Sequence, residues 1–406
     1  MSDDVDILGA DPRPTFFKLA DTGALGLAVP SIRGDRGEAV RVVARTLSGM
    51  QKEALVASAR TGAVWRLASD EGAYLAGFDA APCPLSFLTT GMVSSYLNEI
   101  LALAKMRGIR IDDIRLIQDN FYTMKGSARR GDMTGGARDI ELEAQIASDA
   151  LPEALRALVY DAVAASPLNG LMRGCKESLF SLAHNGASIV PAKASAIAPV
   201  DQAAPDSLFE TAAPAPRDWS DLIVRGAMTA KAEDTTTFAG GSLTDEQDRL
   251  LHIRGVCTLR PDGIKQVDVH LFNPHGSIFR FLCEEAAENG GQGRAPDAAS
   301  YISAGIAFCF MTQLGRYAKI VRKDLRDYRI VQDTHFSLGG TSGGLGRPGE
   351  TDPVETHVQL QTGEDDDFAR ACLDMSEQTC FLHAFCRTDL KARIKLSRIA
   401  EAAPTA

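Results

Sequence analysis

The chain has no run of lysine or arginine of the kind a phosphate backbone requires, and its formal net charge is −10. Nucleic-acid binding depends on clustered cationic side chains, so no nucleic acid is expected as a partner. No uninterrupted apolar stretch approaches the roughly 18 residues that a membrane-crossing helix needs, so no membrane is expected either. The opening stretch, "MSDDVDILGADPRPTFF", is acidic and has no apolar core, unlike a signal peptide. Cysteine is sparse, 8 in 406 residues, too few for a disulfide scaffold. These absences together predict a cytoplasmic protein. In such a reducing setting a pair of thiols reads as redox-active or catalytic, not as a structural staple.

What is present is a globular composition, 45% apolar and 24% charged, in a chain long enough for two or three domains. Residues 187–220, "ASIVPAKASAIAPVDQAAPDSLFETAAPAPRDWS", are rich in Ala and Pro and read as an extended linker. The two flanks look like versions of one unit. A shift of 214 positions lays "WRLASDE" (65–71) on "FRFLCEE" (279–285), "PCPLSFLTTG" (82–91) on "PDAASYISAG" (296–305), and "RLIQD" (115–119) on "RIVQD" (329–333). Three matches in one register indicate a tandem duplication.

Each half carries the same pattern. Strands are expected over about 39–69 and 250–283, then a long apolar helix over about 84–107 and 298–322. Two strands joined by a Gly-rich loop follow, near 113–147 and 327–362, then a closing helix over about 151–165 and 365–379. The fold class is therefore α+β, each unit a β-sheet with a long central helix. The organisation expected is an N-terminal arm (1–38), a first domain (39–186), the linker (187–220), a second domain (221–399) and a tail (400–406).

The same shift places Ser95 on Cys309 and Ser166 on Cys380, with an equal spacing inside each half. A paired exchange of two hydroxyls for two thiols implies that the positions touch and work together. In isolation "ISAGIAFCFM" (302–311) would suggest only a buried cysteine, since a free thiol packs as a small hydrophobe. Cys83, Cys175, Cys257, Cys283, Cys372 and Cys386 have no cysteine at the matched position and take that plainer reading, Cys83 being the one in a loop before a core helix.

At these residues the chain resembles the OsmC/Ohr family, the osmotically inducible protein C and organic hydroperoxide resistance proteins. That family's pattern runs Pro-x-Pro-x-Glu-Leu-Leu-Leu, then small residues, then a reactive cysteine. Pro82, Pro84, Phe87, Leu88 and Gly91 follow it in the first half; "RAPDAASYISAGIAFC" follows it more loosely in the second. The likeness covers about 39–175 and 248–390. It implies two OsmC-like domains forming an intramolecular pseudo-dimer, the first degenerate at Ser95 and Ser166. It further implies a thiol-dependent, peroxidase-like enzyme without cofactor or metal. Cys309 would attack an organic hydroperoxide, Cys380 would resolve the sulfenic acid, and an external dithiol would reduce the disulfide. The substrate would be a small molecule, contacted by Ser95, Ser166, Ser300, Tyr301 and Phe308.

The chain departs from the family in its activating groups. The family's glutamate falls on Ser86 and Ser300. Its arginine has no single match; Arg280, with counterpart Arg66, is the first candidate and Arg254 the second. His383, in "CFLHAFC", stands three residues after Cys380 and could serve as a base for either thiol, its plainer reading being a half-exposed helical histidine. These departures keep two alternatives open. One is a cysteine-nucleophile hydrolase or lyase acting on a small carbonyl compound; the other is a non-catalytic small-ligand-binding protein. "GLGRPG" (344–349) mimics a dinucleotide fingerprint, but a strand-like run follows it, so a hairpin loop is expected.

Overall fold

The protein is mixed α+β, and the computed structural model describes residues 4–23, 27–34, 37–200, 206–230, 241–337 and 348–399. Apolar runs such as "AVRVVA" and "EALVAS" form strands Gly37–Thr46 and Lys52–Ser58, buried along nearly their whole length. Continuous burial of this kind marks strands covered on both faces. With Val64–Ser69 they make an antiparallel meander, and Glu246–Leu259, Lys265–Asn273 and Ser277–Cys283 make another.

Neither meander is completed by its own half of the chain. Gly37–Thr46 pairs antiparallel with Asp327–Ser337, setting Val43 opposite Val331. Glu246–Leu259 pairs with Asp113–Ser127, setting Ile253 opposite Asn120. The first sheet continues through Glu355–Gln361 to a parallel strand, Leu179–His184; the second continues through Ile140–Ala147 to a parallel strand, Ala392–Arg398. Each sheet is thus mixed and assembled from both halves.

Two helices lie between the sheets, Pro84–Arg107 and Ala298–Val321. The first begins with proline at its first turn, where the missing N–H costs nothing, and ends at Gly108 in the left-handed region (φ 64°). The second is capped by Asp297, whose carboxylate accepts from the Ser300 backbone N–H at 2.7 Å. They cross at two glycines: a Cβ at Gly91 would lie 2.5 Å from the Ala298 carbonyl oxygen, and one at Gly305 would lie 2.9 Å from the Leu88 nitrogen. Only glycine lets the backbones approach so closely.

Two expectations are corrected. Ala298–Val321 is long and apolar enough by composition to cross a membrane, yet 94% of that window is buried inside the protein, where its hydrophobicity serves the core. Residues 187–220 are not a plain extended linker. They contain short strands, Ala187–Ile189 and Ser195–Ala196, and a helix, Asp206–Thr211. Phe209 and Trp219 anchor the stretch in the core, Trp219 edge-on to Trp65 with ring centroids 5.6 Å apart. Most of the "GLGRPG" loop (residues 338–347) lies outside the described residues; the strands around it, Asp327–Ser337 and Glu355–Gln361, are antiparallel neighbours.

Candidate active site

Cys309 sits one turn beyond the glycine crossing at Gly305, and 2% of its surface is exposed. Cys380 is the junction between helices Asp366–Thr379 and Phe381–Arg387, closing the first and opening the second. The two are free thiols, buried side by side closely enough that each shifts the ionisation of the other. Ser166 occupies the same kind of junction, between Pro152–Ala165 and the turn Pro167–Met172. Its Oγ lies 2.7 Å from Ser95 Oγ.

The surroundings divide the sulfurs electrically. Burial opposes ionisation of Cys380, but the Cys309 thiol, the His383 imidazole and the His383 backbone N–H outweigh it and hold the Cys380 thiol well below its ordinary value. Burial first, then the neighbouring Cys380 thiol, pushes Cys309 well above its own. Burial and their mutual contact therefore move the two thiols in opposite directions, Cys309 up and Cys380 down.

His383 is fully buried, not half-exposed, and packs against the rings of Phe180 and Phe310 at 5.4 and 5.3 Å. It lies beside the Cys380 sulfur without closing a full hydrogen bond, and neither ring nitrogen has another partner among the described residues. A buried imidazole left without hydrogen-bond partners is costly.

A narrow cavity of about 30 Å³ reaches Cys309, room for a water or two. Its wall includes Glu71, Cys83, Arg249, Thr312, Gln313 and Phe381, drawn from both halves of the chain. Tyr74 and Thr312 hydroxyls donate to the two oxygens of Glu71 at 2.7 and 2.9 Å. Burial raises the Glu71 carboxyl, countered by nearby Lys52. Cys83 is the N-cap of its helix, and burial pushes its thiol up to about 12. A second cavity of similar size is lined by Ser95, Asn98, Glu99, Pro167, Glu285 and Asp297 among others.

Several residues expected at the site stand elsewhere. Arg280 faces solvent and pairs with Asp268 at 2.8 Å, because its strand alternation turns Phe279 and Phe281 inward instead. Arg254 pairs with Asp119 on the neighbouring strand of its own sheet, and Arg66 is locked to Glu53 and Asp11. Tyr301 donates to the Leu282 carbonyl and packs on Phe87 and Phe281, and Phe308 also packs on Phe87; both are core. Ser300 is buried at the helix start, its hydroxyl without a partner among the described residues. Ser95 and Ser166 belong with the second cavity, not with Cys309. Sequence reasoning missed Glu71, Arg249 and Thr312. Glu71 had a signal, its match to Glu285 in the repeat; Arg249 had none, because it reaches the cavity only through strand exchange.

No family model and no curated protein matches this chain. Among solved structures, an OsmC-like hydroperoxide resistance protein from Jannaschia sp. CCS1 is similar at 22% identity, over 32% of this chain and 79% of that one, with a TM-score of 0.18.

Proposed function

We propose that this chain is a tandem duplication of an OsmC-type unit, folded as its own intertwined dimer, and that its Cys309/Cys380 pair reduces organic hydroperoxides at the expense of a dithiol. The juxtaposition of the two buried thiols, with Cys309 lining a cavity, carries this reading. The exchange of strands between halves supports the duplication. So do the cavity walls, where Cys309, Thr312, Gln313, Phe381, Glu71 and Cys83 correspond at the same shift to Ser95, Asn98, Glu99, Pro167, Glu285 and Asp297.

The chemistry follows from the adjacent thiols. As Cys309 attacks the peroxide, its proton passes toward Cys380 and His383, so the reacting sulfur carries the charge. An S–O bond forms, the O–O bond breaks, and the alkoxide leaves as the alcohol once it takes a proton. Cys380 then displaces the hydroxyl of the Cys309 sulfenic acid as water, giving a disulfide. The dithiol restores both thiols and becomes a disulfide itself. Hydroxyls cannot follow this cycle, so the Ser95/Ser166 cavity is inert in it. A reducing, cytoplasmic setting would keep the pair ready.

Cumene hydroperoxide with dithiothreitol tests the reading. Wild type should consume peroxide and pass through a Cys309–Cys380 disulfide visible by peptide mass spectrometry; full turnover by Cys309→Ser would overturn the proposal. The unbonded imidazole beside Cys380 supports a second reading, attack on a carbon electrophile. A stable thioester-type adduct on either sulfur would select it.

A further inference from the structure

Two arginines, Arg316 buried and Arg249 half-buried, meet behind the Cys309 cavity with no carboxylate at ion-pair distance among the described residues. Arg249 lines the cavity and donates to the Ser242 hydroxyl; Arg316, 2% exposed, donates through Nε to the Ser242 carbonyl at 2.8 Å. The remaining bonds of Arg316 go to Gln313 Oε1 at 3.2 Å and Met133 Sδ at 3.4 Å, a weak acceptor. Among the described residues, one N–H group of each stays buried and unpartnered: Nε of Arg249 and Nη2 of Arg316. Burial lowers both guanidiniums, and their mutual repulsion adds to it at Arg316.

A guanidinium stays charged at neutral pH, and a buried cation such as Arg316 without a counter-charge is among the most expensive arrangements a fold can hold. Glu71 helps Arg249 at a distance, but both its oxygens are taken by Tyr74 and Thr312. We infer that Arg249 and Arg316 form an oxyanion site, and that the molecule drawn to Cys309 carries a carboxylate which completes it. The carboxylate is favoured over a phosphate because Glu71 stands close enough to repel a second negative charge, whereas a planar carboxylate matches the guanidinium fork. This inference rests on the thiol-peroxidase reading for its substrate, though not for its anion.

The two parts separate experimentally. The full-length Cys309→Ser protein, which cannot react, is titrated calorimetrically with hexanoate and with inorganic phosphate. Saturable hexanoate binding is expected, weakened about tenfold or more by Arg249→Gln and by Arg316→Gln, as loss of a charge-assisted hydrogen bond implies, and retained by Arg249→Lys. No binding, or tighter binding of phosphate, overturns the carboxylate site. If a glutamine variant loses its cooperative melt, the lysine variant and wild type still decide. In turnover, cumene hydroperoxide is compared with its para-carboxylic acid. Wild type should favour the acid in kcat/KM, and Arg249→Gln should bring the ratio toward one. A wild-type ratio near one overturns the substrate assignment. Hexanoate binding with no turnover of either peroxide leaves the anion site standing and removes the peroxidase reading instead.

Discussion

The Ser95 and Ser166 hydroxyls lie 2.7 Å apart, across 71 residues of chain, at the positions where the other half brings two thiols together. Because oxygen and sulfur differ little in reach, the first site already holds the geometry of a dithiol. The double variant Ser95→Cys/Ser166→Cys should therefore form a second disulfide under cumene hydroperoxide, detected as a new cross-linked peptide pair. Two unreacted thiols at these positions would count against equivalent sites.

The lowered Cys380 thiol sets a pH dependence. Its folded value lies below the ordinary 9.0, so activity should persist as pH falls past 9.0 and be lost only when Cys380 takes up a proton. His383 is one cause of that depression, and His383→Gln should move the acid limb of the kcat/KM profile upward. An unchanged limb would show that the imidazole plays no part in the ionisation.

Glu38, in the second cavity, makes the opposite contribution. Burial, aided by neighbouring Asp297, raises its carboxyl from 4.5 to about 8, against hydrogen bonds from the Ala39 and Arg60 backbones. A raised acid binds its proton more tightly when folded, so its stabilising effect is complete below 4.5 and is lost as pH rises through 8. Wild type should melt at falling temperature between these values, and Glu38→Gln should flatten that slope, as measured by calorimetry.

At the helix crossing, Gly91→Ala would place a methyl 2.5 Å from the Ala298 carbonyl oxygen and from Ile302. The backbones must part, at a cost of about 1–3 kcal/mol by denaturant melting. Gly305→Ala, one turn from Cys309, should also slow peroxide consumption by shifting the sulfur from Cys380.

The sequence by itself determined the local elements and the pairing of the chemistry. The long helix expected over about 84–107 is Pro84–Arg107, since a proline start, a glycine stop and an apolar run between them are all local signals. The equal spacing of two hydroxyls and two thiols marked contacts between helices that no local propensity encodes. What only the tertiary structure decided was which side chains face the thiols. The exchange of strands between halves brings Glu71 and Arg249 to one cavity wall, while strand alternation turns Arg280 to solvent. Those outcomes depend on which strand pairs with which across hundreds of residues, a choice made by burial of the whole core and not by any single segment.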